Sequence, residues 1–417
     1  MDPHVIEWLN LVIRWAHMVV GVAWIGASFY FVWLENNLNR INPKKGLSGD
    51  LWAIHGGGIY HLEKYQLAPD KMPEHLHWFK WEAYFTWITG VMLLCVIYYF
   101  NAELYLMSPD SELSEVSAIS IGVASLLIGW IIYDRLCNSP LKQVPILLAI
   151  TLFVFFVGAS CGLVQVFSGR GAYIHIGAMI GTIMVGNVFR VIMPAQRDLV
   201  QAIKQQRQPD PALPAKALLR SRHNNYMTLP VLFIMISHHF PSTYGSSYNW
   251  AILAGLSALS IFLRHYFNTR HSTQKFIWAI PATALGMIAL AFVSSPYMTN
   301  TSSMSMFQMD SLEKIYSTEM RDDVQDNYVS FARVNDVIQL RCGVCHSQTP
   351  AHQAFSVAPA GVKLDSPQDI LRHLPSIMSQ AVQTQVMPPG NLTQMTDEER
   401  ALIQLWVVQG ASISTSQ

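Results

Sequence analysis

Residues 6–33 have the sequence IEWLNLVIRWAHMVVGVAWIGASFYFVW, a nearly continuous apolar run close to the N-terminus. An α-helix needs about 20 mostly apolar residues to cross the hydrocarbon core of a bilayer. The residues before this run lack the positive charge of a signal peptide, and the run has no small-residue cleavage site. We therefore expect a transmembrane helix that the mature chain retains.

The same length criterion predicts about eight transmembrane helices within residues 1–297. The sixth is short and contains Pro230, so we expect it to begin upstream near Leu218 or to be kinked. The predicted fold class is all-α, a polytopic membrane helix bundle followed by a small α-helical domain. The eight segments are 6–33, 81–100, 116–133, 144–167, 172–193, 226–240, 248–267 and 276–296.

Composition agrees with a chain that spends much of its length in lipid. Of the 417 residues, 51% are hydrophobic and 13% charged, whereas a soluble domain carries about 25% charged residues. Lys plus Arg and Asp plus Glu are equal at 27 each, so no overall positive field attracts nucleic acid. We therefore expect the lipid bilayer, and no nucleic acid, among the partners. The five cysteines do not suggest a disulfide framework.

The loops between the predicted spans differ sharply in positive charge. The odd-numbered loops, counting Arg264 near the end of the seventh span, hold 17 Lys and Arg residues, and the even-numbered loops hold only Arg170. Positively charged loops stay in the cytoplasm. This asymmetry predicts a multi-pass protein of a bacterial inner membrane, with the N-terminus and everything after Pro296 in the periplasm.

Beyond the last span, residues 298–324 are rich in Ser, Thr and Met and are typical of a linker. Residues 325–417 have the composition of a globular domain and contain the sequence Cys342-Gly343-Val344-Cys345-His346. C-x-x-C-H is the attachment motif of a c-type haem, in which both thiols bind the porphyrin and the imidazole is an axial iron ligand. A thioredoxin-like pair would need a strand–helix context, and a zinc site would need a second cysteine pair.

Met387, in the sequence VMPPG, is the predicted second axial ligand, because the prolines stiffen the loop that carries it. Met378 and His373 are the alternatives. The region resembles small bacterial cytochromes c: a helix over 331–341 precedes the motif, and the MPP loop is followed by MTDEER, in which Thr396 is the expected N-cap. We expect one covalent haem c, with its iron held by His346 and Met387.

Ionisable residues inside membrane spans are costly and are candidate functional residues. One group lies toward the predicted outer side, and a second toward the cytoplasm. Hydrogen bonds between helices are the alternative explanation for Arg14 and His17, and snorkelling to headgroups is the alternative for Arg190, Arg264 and His265. The outer group comprises Arg14, His17, Gln165, Arg170, His175, His238 and His239, and the inner group Glu82, Asp134, Asn187, Arg190, His223, Arg264 and His265.

Histidines also raise two cofactor alternatives. A haem b held by two imidazoles from facing helices would pair His17 with His175 or with His238. The loop histidines are a weaker candidate for a metal site, because their spacing along the sequence is irregular. These loop histidines are His55, His61, His75 and His77.

Four stretches, followed by the cytochrome c motif, give the chain a resemblance to the bacterial membrane-bound urate oxidases, also called urate hydroxylases. They are RWAHMVVGVAWIGASFYFVWLE (14–35), HLHWFKWEAYFTWITG (75–90), IGTIMVGNVFRVIMPAQ (180–196) and SHHFPSTYG (237–245). The resemblance implies oxidation of urate to 5-hydroxyisourate, with electrons leaving through the fused haem c to a soluble cytochrome c or a terminal oxidase. It assigns no catalytic residue outside the haem motif.

The chemistry of such a reaction suggests roles for the outer group. Urate is a planar anion, and Arg suits planar acceptors, so Arg14 or Arg170 is the binding candidate. An imidazole base would accept protons, which makes His17, His175, His238 and His239 the catalytic candidates. The inner group remains the rival location for the site.

Two other functions are compatible with this sequence. The bundle would only anchor a non-catalytic cytochrome c that relays electrons from quinol or a dehydrogenase to a terminal oxidase, although one span would suffice for anchoring. A transporter with a redox gate would be expected to contain inverted repeats, and the sequence has no convincing internal repeat.

Overall fold

The computed structural model describes residues 3–66, 68–69, 72–108, 111–294, 329–355 and 357–413. The predicted linker, 298–324, lies outside the described residues. The first described part, up to residue 294, is a helical bundle with one β-hairpin. Its helices are α1 (Pro3–Asn37), α2 (Trp81–Leu93), α3 (Ala102–Tyr105), α4 (Glu115–Asn138), α5 (Pro145–Leu163), α6 (Gly169–Asn187), α7 (Met193–Lys204), α8 (Ala212–Ile236), α9 (Pro241–Tyr244), α10 (Asn249–Thr269) and α11 (Ala279–Val293).

Two of these helices continue beyond their α-helical part through wider π-helical turns. α2 runs on through Leu94–Tyr99, and α6 continues through Val188–Ile192 into α7. A single π-turn displaces the side chains that follow it relative to a regular α-helix. The continuous α6–α7 helix is therefore much longer than the predicted span, 172–193.

The predicted all-α membrane bundle is confirmed. Six described helices are long and apolar enough to cross a membrane, judged by length and composition. The sixth predicted segment is also helical, but it begins upstream at Ala212, carries Pro230 inside the helix and has charged residues in its first turns. The eighth, α11, has only 15 residues. The six helices are His4–Asn37, Trp81–Tyr99, Glu115–Asn138, Pro145–Leu163, Gly169–Lys204 and Asn249–Thr269.

A β-hairpin lies between α1 and α2, where the sequence analysis expected only a loop. Strands β1 (Leu47–His55) and β2 (Gly58–Tyr65) pair antiparallel, with Trp52 opposite His61. Gly56 and Gly57 occupy the two turn positions with φ of 57° and 80°. Positive φ at both positions is the requirement of a type I′ turn, which matches the twist of the two strands.

Helix α6 is central to the core of the bundle and packs on α4, α5 and α8. Small residues at the crossings allow this close packing. A Cβ atom at Gly177 would lie 2.5 Å from Cγ2 of Ile234 in α8, and a Cβ atom at Gly129 in α4 would lie 2.6 Å from Cγ of Met179. A side chain at Gly177 would clash with the branched Ile234, whereas at Gly129 the flexible Met179 would have to change its side-chain conformation.

The C-terminal domain, 329–413, contains three helices: α12 (Phe331–Arg341), α13 (Pro367–Ile377) and α14 (Asp397–Val408). The rings of Phe331 and Trp406 are 5.6 Å apart where α12 meets α14, and Trp406 is fully buried. The predicted helix over 331–341 and the Thr396 N-cap are both confirmed. Thr396 and Glu399 form a reciprocal capping box.

This domain packs on one end of the bundle, which we call the domain-facing end. There α1 begins and the short helices α3 and α9 lie. A Cβ atom at Gly390 would come within 2.5 Å of the Glu103 carbonyl oxygen, and one at Gly245 within 2.7 Å of Val386. The β-hairpin lies at the opposite end, the hairpin end, because the 35 residues of α1 span about 52 Å at 1.5 Å per residue.

Candidate functional site

A cavity of about 360 Å³ lies between α1, α2, α6 and α8 toward the domain-facing end, and it is partly open at the surface of the bundle. We call it the inner cavity, and its volume lies within the range of ligand pockets. Apolar side chains form most of its wall. Its polar and charged lining residues from the outer group are Arg14, His17, Arg170, His238 and His239.

Arg14 and Arg170 bring two guanidinium groups to this cavity from α1 and α6. Arg14 donates to Asn10 Oδ1 at 3.1 Å and lies 3.3 Å from His238 Nε2. Arg170 donates through Nε to the Tyr98 hydroxyl at 3.2 Å, and its guanidinium lies 4.5 Å from the centre of the Tyr105 ring. Within the described residues neither arginine forms an ion pair with a carboxylate. The cavity therefore presents positive charge that a bound anion would balance.

The contacts of His238 define its tautomer. A guanidinium only donates hydrogen bonds, so Nε2 of His238 accepts from Arg14. Nδ1 then carries the proton and donates to the Met235 carbonyl at 3.1 Å. The ring of His239 lies 3.9 Å from that of His238. The unprotonated Nε2 of His238 faces the same guanidinium that would bind an anion.

His17 has a similar arrangement on α1. The Thr89 hydroxyl donates to the Phe85 carbonyl at 2.6 Å, so its oxygen accepts from His17 Nδ1 at 2.9 Å. Nε2 of His17 is left unprotonated, and the structure records no hydrogen bond to it from the described residues. Gly90 makes room for this ring, since a Cβ there would lie 3.2 Å from Cε1. Two basic imidazole nitrogens thus belong to residues of one cavity wall.

His175 is the one catalytic candidate that the structure places apart from the inner cavity. Its side chain is fully buried, Nδ1 donates to the Gly171 carbonyl at 2.8 Å, and Nε2 accepts from the Tyr99 hydroxyl at 3.1 Å. Both ring nitrogens are engaged with protein groups, so neither is available to a substrate or to a haem b iron. These contacts are those of a structural core histidine.

The rival inner group forms a polar network at the hairpin end. Asp134 accepts from the fully buried Arg220 at 2.6 Å, an ion pair between α4 and α8. Asn187 donates to the Tyr133 hydroxyl at 2.9 Å, and this hydroxyl lies 2.9 Å from Nδ1 of His223. We call these five residues the hairpin-end network. Arg220 was expected in a loop, so its ion pair with Asp134 was not predicted from the sequence.

Other members of the inner group also find protein partners. Arg264 donates to Asn225 Oδ1 at 2.9 Å and lies 3.8 Å above the Phe29 ring, and His265 lies 2.8 Å from the Tyr226 hydroxyl. Of the loop histidines, His61 lies 2.9 Å from Asp50. Across the described parts of the chain, no group of three or more His, Cys, Asp or Glu side chains is arranged to hold a metal ion.

The C-x-x-C-H motif forms the turn that follows α12. Cys342 ends the helix, and the backbone N–H groups of Cys345 and His346 both donate to its carbonyl, at 3.1 and 2.8 Å. Nδ1 of His346 donates to the Val362 carbonyl at 3.0 Å, and burial lowers the pKa of this imidazole. His346 therefore keeps a neutral ring with Nε2 available, the form that binds a metal. Burial also raises the pKa of the Cys342 thiol to about 11.

Met387 packs with Cys342 against the apolar core of the C-terminal domain. Its loop is fixed by Arg400, which donates to the carbonyls of Met387, at 2.9 Å, and of Ala381. Two thiols on one turn, an imidazole with a free Nε2 and a thioether against the same core are the donor set of a haem c. The role of Arg400 was not predicted from the sequence, because its burial is visible only in the structure.

The fold and these side chains define a mainly helical protein with membrane-compatible spans and a cavity between its helices that carries two arginines and three histidines. The family described as urate oxidase N-terminal matches residues 3–295, and the chain belongs to this family. The match indicates a urate-related function and an oxidoreductase, and it ends before the C-x-x-C-H motif. No curated protein and no solved structure matches the chain.

Proposed function

We propose that this protein is a membrane-bound urate oxidase that converts urate to 5-hydroxyisourate and passes the electrons to a haem c in its C-terminal domain. The observation that carries the proposal is the inner cavity, in which Arg14 and Arg170 lie beside three histidines and form no ion pair with any carboxylate that the structure describes. The family match over residues 3–295 supports urate as the substrate. The reaction consumes one urate and one water and releases two protons and two electrons.

In this proposal the two guanidiniums bind the substrate. Urate is a planar anion with oxygen and nitrogen acceptors on its edge, and a guanidinium donates to such an edge through two parallel N–H groups. Arg170 is held by Tyr98 and Tyr105, so its position is fixed before the anion arrives. Arg14 exchanges its contact with His238 for a contact with the anion.

His238 and His17 then serve as proton acceptors. Once Arg14 turns to the substrate, Nε2 of His238 is free to accept a proton from urate or from the water that adds to its oxidised ring. Nε2 of His17 is the second acceptor, since its Nδ1 proton is held by Thr89. His239 lies against His238 and completes the imidazole cluster. We assign His175 a structural role rather than a catalytic one.

Cys342 and Cys345 would attach the haem, and His346 and Met387 would ligate its iron. A haem bound there supplies a one-electron acceptor, so each urate requires two successive electron transfers. A soluble cytochrome c or a terminal oxidase receives the electrons. We place the N-terminus and the C-terminal domain in the periplasm of a bacterial inner membrane, because, with the buried Arg220 and Arg264 set aside, 15 Lys and Arg residues remain in the odd-numbered loops and adjoining helix ends, against only Arg170 in the even-numbered loops.

The test is an anaerobic spectrum of the purified full-length protein before and after urate is added. We expect urate to reduce c-type absorption bands and to disappear in the ratio of one urate per two haem equivalents reduced. The double variant Cys342→Ser/Cys345→Ser is the matched control and should carry no covalently bound haem. Reduction by quinol without any reduction by urate would instead identify a membrane-anchored electron carrier.

A further inference from the structure

A second cavity, of about 410 Å³, lies between the bundle and the C-terminal domain. We call it the interdomain cavity. Its floor is formed by the first turns of α1 and by the end of the α2 segment, and its roof by residues 354–355 and 357–361 of the C-terminal domain. The cavity is partly open to the outside. It therefore lies between the external solution and the inner cavity.

The two cavities adjoin at a pair of arginines. Arg14 and Arg170 line both the interdomain cavity and the inner cavity, and Ile97 is the one other residue common to both walls. Along the described wall of the interdomain cavity the single carboxylate is Glu7, which is exposed on the first turns of α1. The positive charge thus lies at the inner boundary of the cavity, where an arriving anion meets it.

We propose that the interdomain cavity is a second binding site for the purine anion, through which urate enters from the side of the membrane on which the C-terminal domain lies. This inference rests on the proposed function. Arg14 and Arg170 transfer the anion from the interdomain cavity to the inner cavity, because both residues line both cavities. Asn10 and Asn101 line the interdomain cavity and offer amide groups to the edge of the purine ring.

The roof of the cavity belongs to the domain that is proposed to accept the electrons. This domain is held against the bundle by the close approaches of Gly390 to Glu103 and of Gly245 to Val386. An entry route under this roof requires no opening between membrane helices. It also delivers the substrate beside the acceptor domain, so that substrate access and electron transfer share one face of the protein.

Charge-selective labelling of the roof tests the entry route in the full-length enzyme. Ala354 is half-buried and lines the cavity, so Ala354→Cys is treated with a small anionic thiol reagent and, separately, with a cationic reagent of the same length. We expect the anionic label to raise KM for urate about tenfold, with kcat changed less than about twofold, because it repels substrate at the entrance. The cationic label should raise KM less, and urate present during labelling should slow the modification.

Val408→Cys is the matched control, since Val408 is exposed on α14 of the same domain and does not line the cavity. Treated wild-type enzyme controls for the native cysteines. An unchanged KM in labelled Ala354→Cys would overturn the entry route.

The side of the membrane from which urate is consumed provides a second, independent measurement. In sealed vesicles of known orientation, we expect urate to be consumed only when it is added on the side of the C-terminal domain, as located by protease access. Consumption only from the opposite side would overturn the inference while leaving the proposed function intact. If the detergent-solubilised wild-type enzyme fails to oxidise urate, the proposed function is wrong, and the entry route is wrong with it.

Discussion

The two ends of the bundle contain the same kinds of residue and use them differently. At the hairpin end, Arg220 pairs with Asp134, and Asn187, Tyr133 and His223 bond to one another. At the domain-facing end, Arg14 and Arg170 line two cavities and have no acidic partner among the described residues. A buried charge is stable only when it is paired, hydrogen-bonded or bound to a ligand. The polar residues at the hairpin end therefore hold helices together, whereas we propose that the two arginines at the domain-facing end bind an anion.

The hairpin-end network is not perfectly satisfied. Nε of Arg220 and, nearby, Nδ2 of Asn225 have no hydrogen-bond partner among the described residues. Each is a single orphaned donor beside well-bonded atoms of the same side chain: Arg220 keeps its ion pair through Nη2, and Asn225 accepts from Arg264. The Arg220–Asp134 pair balances its own charge, and Arg264 is held by Asn225 and the Phe29 ring without an ion pair to a described carboxylate. Arg14 and Arg170 likewise form no ion pair with a described carboxylate, but, unlike Arg220 and Arg264, they line the two cavities.

The largest effect is expected at the hairpin end. Arg220→Ala removes the fully buried member of an ion pair whose other member, Asp134, is partly exposed, so the loss should lie toward the lower end of the range of about 3–5 kcal/mol for a fully buried pair. We expect a large fall in the unfolding temperature in detergent and little folded protein. Thermal unfolding followed by circular dichroism measures it. Arg222→Ala, two residues along the same helix and exposed, is the control and should change stability little.

A normal unfolding temperature for Arg220→Ala, together with a specific loss of urate oxidation, would reverse the comparison. It would show that the hairpin-end network, rather than the inner cavity, contains the substrate site.

At the domain-facing end we expect the opposite pattern for Arg14. Arg14→Gln removes a charge-assisted hydrogen bond to substrate, worth about 1.5–3 kcal/mol, so kcat/KM for urate should fall roughly 10- to 100-fold. Stability should hardly change, because Arg14 has no ion pair to lose. Arg14→Lys keeps the charge but not the forked geometry, and we expect it to recover only part of the activity. Wild-type kinetics in Arg14→Gln would contradict the proposed substrate site.

Two adjacent tyrosines of the α2 segment allow a structural role and a substrate-binding role to be compared within one helical turn. Tyr99 bonds to buried His175, and Tyr98 bonds to Arg170. Tyr99→Phe leaves a buried acceptor without a partner, so it should lower the free energy of unfolding by about 1–2 kcal/mol without changing KM. Tyr98→Phe should instead raise KM for urate, because Arg170 loses the hydroxyl that positions it. Steady-state kinetics and unfolding curves on both variants separate these roles, and a kinetic effect of Tyr99→Phe would return His175 to the candidate site.

The sequence predicted the bundle because span length and hydropathy are local properties. It predicted that the sixth span begins upstream near Leu218 or is kinked, and the helix does begin upstream, at Ala212. It did not predict the exact start, because Lys216, Arg220 and Arg222 lower the local hydropathy, while burial of Arg220 against α4 keeps the helix continuous. It also missed the hairpin, because a short alternating strand beside three glycines resembles a loop until the strands pair.

The candidate site could be predicted only in part, for a different physical reason. Residue type and depth selected Arg14 and His238, but 224 positions separate them, and their contact depends on how α1 and the end of α8 meet in space. The same information also selected His175, which has the right type and depth but faces Tyr99 and the Gly171 carbonyl instead of the cavity. Side-chain direction within a bundle is set by packing, and no single-sequence pattern encodes it.

The smallest effect is expected at the mouth of the interdomain cavity. Glu7 is exposed there and repels an approaching anion, so Glu7→Gln should lower KM for urate about twofold at low ionic strength. The difference should disappear at high salt, because mobile ions screen exposed charges beyond about 10 Å at 0.1 M. Glu112→Gln is the matched control, since Glu112 is exposed at the same end but does not line the cavity. A salt-dependent fall in KM in Glu7→Gln but not in Glu112→Gln would tie the effect to the route of entry, and equal behaviour of the two variants would remove that link.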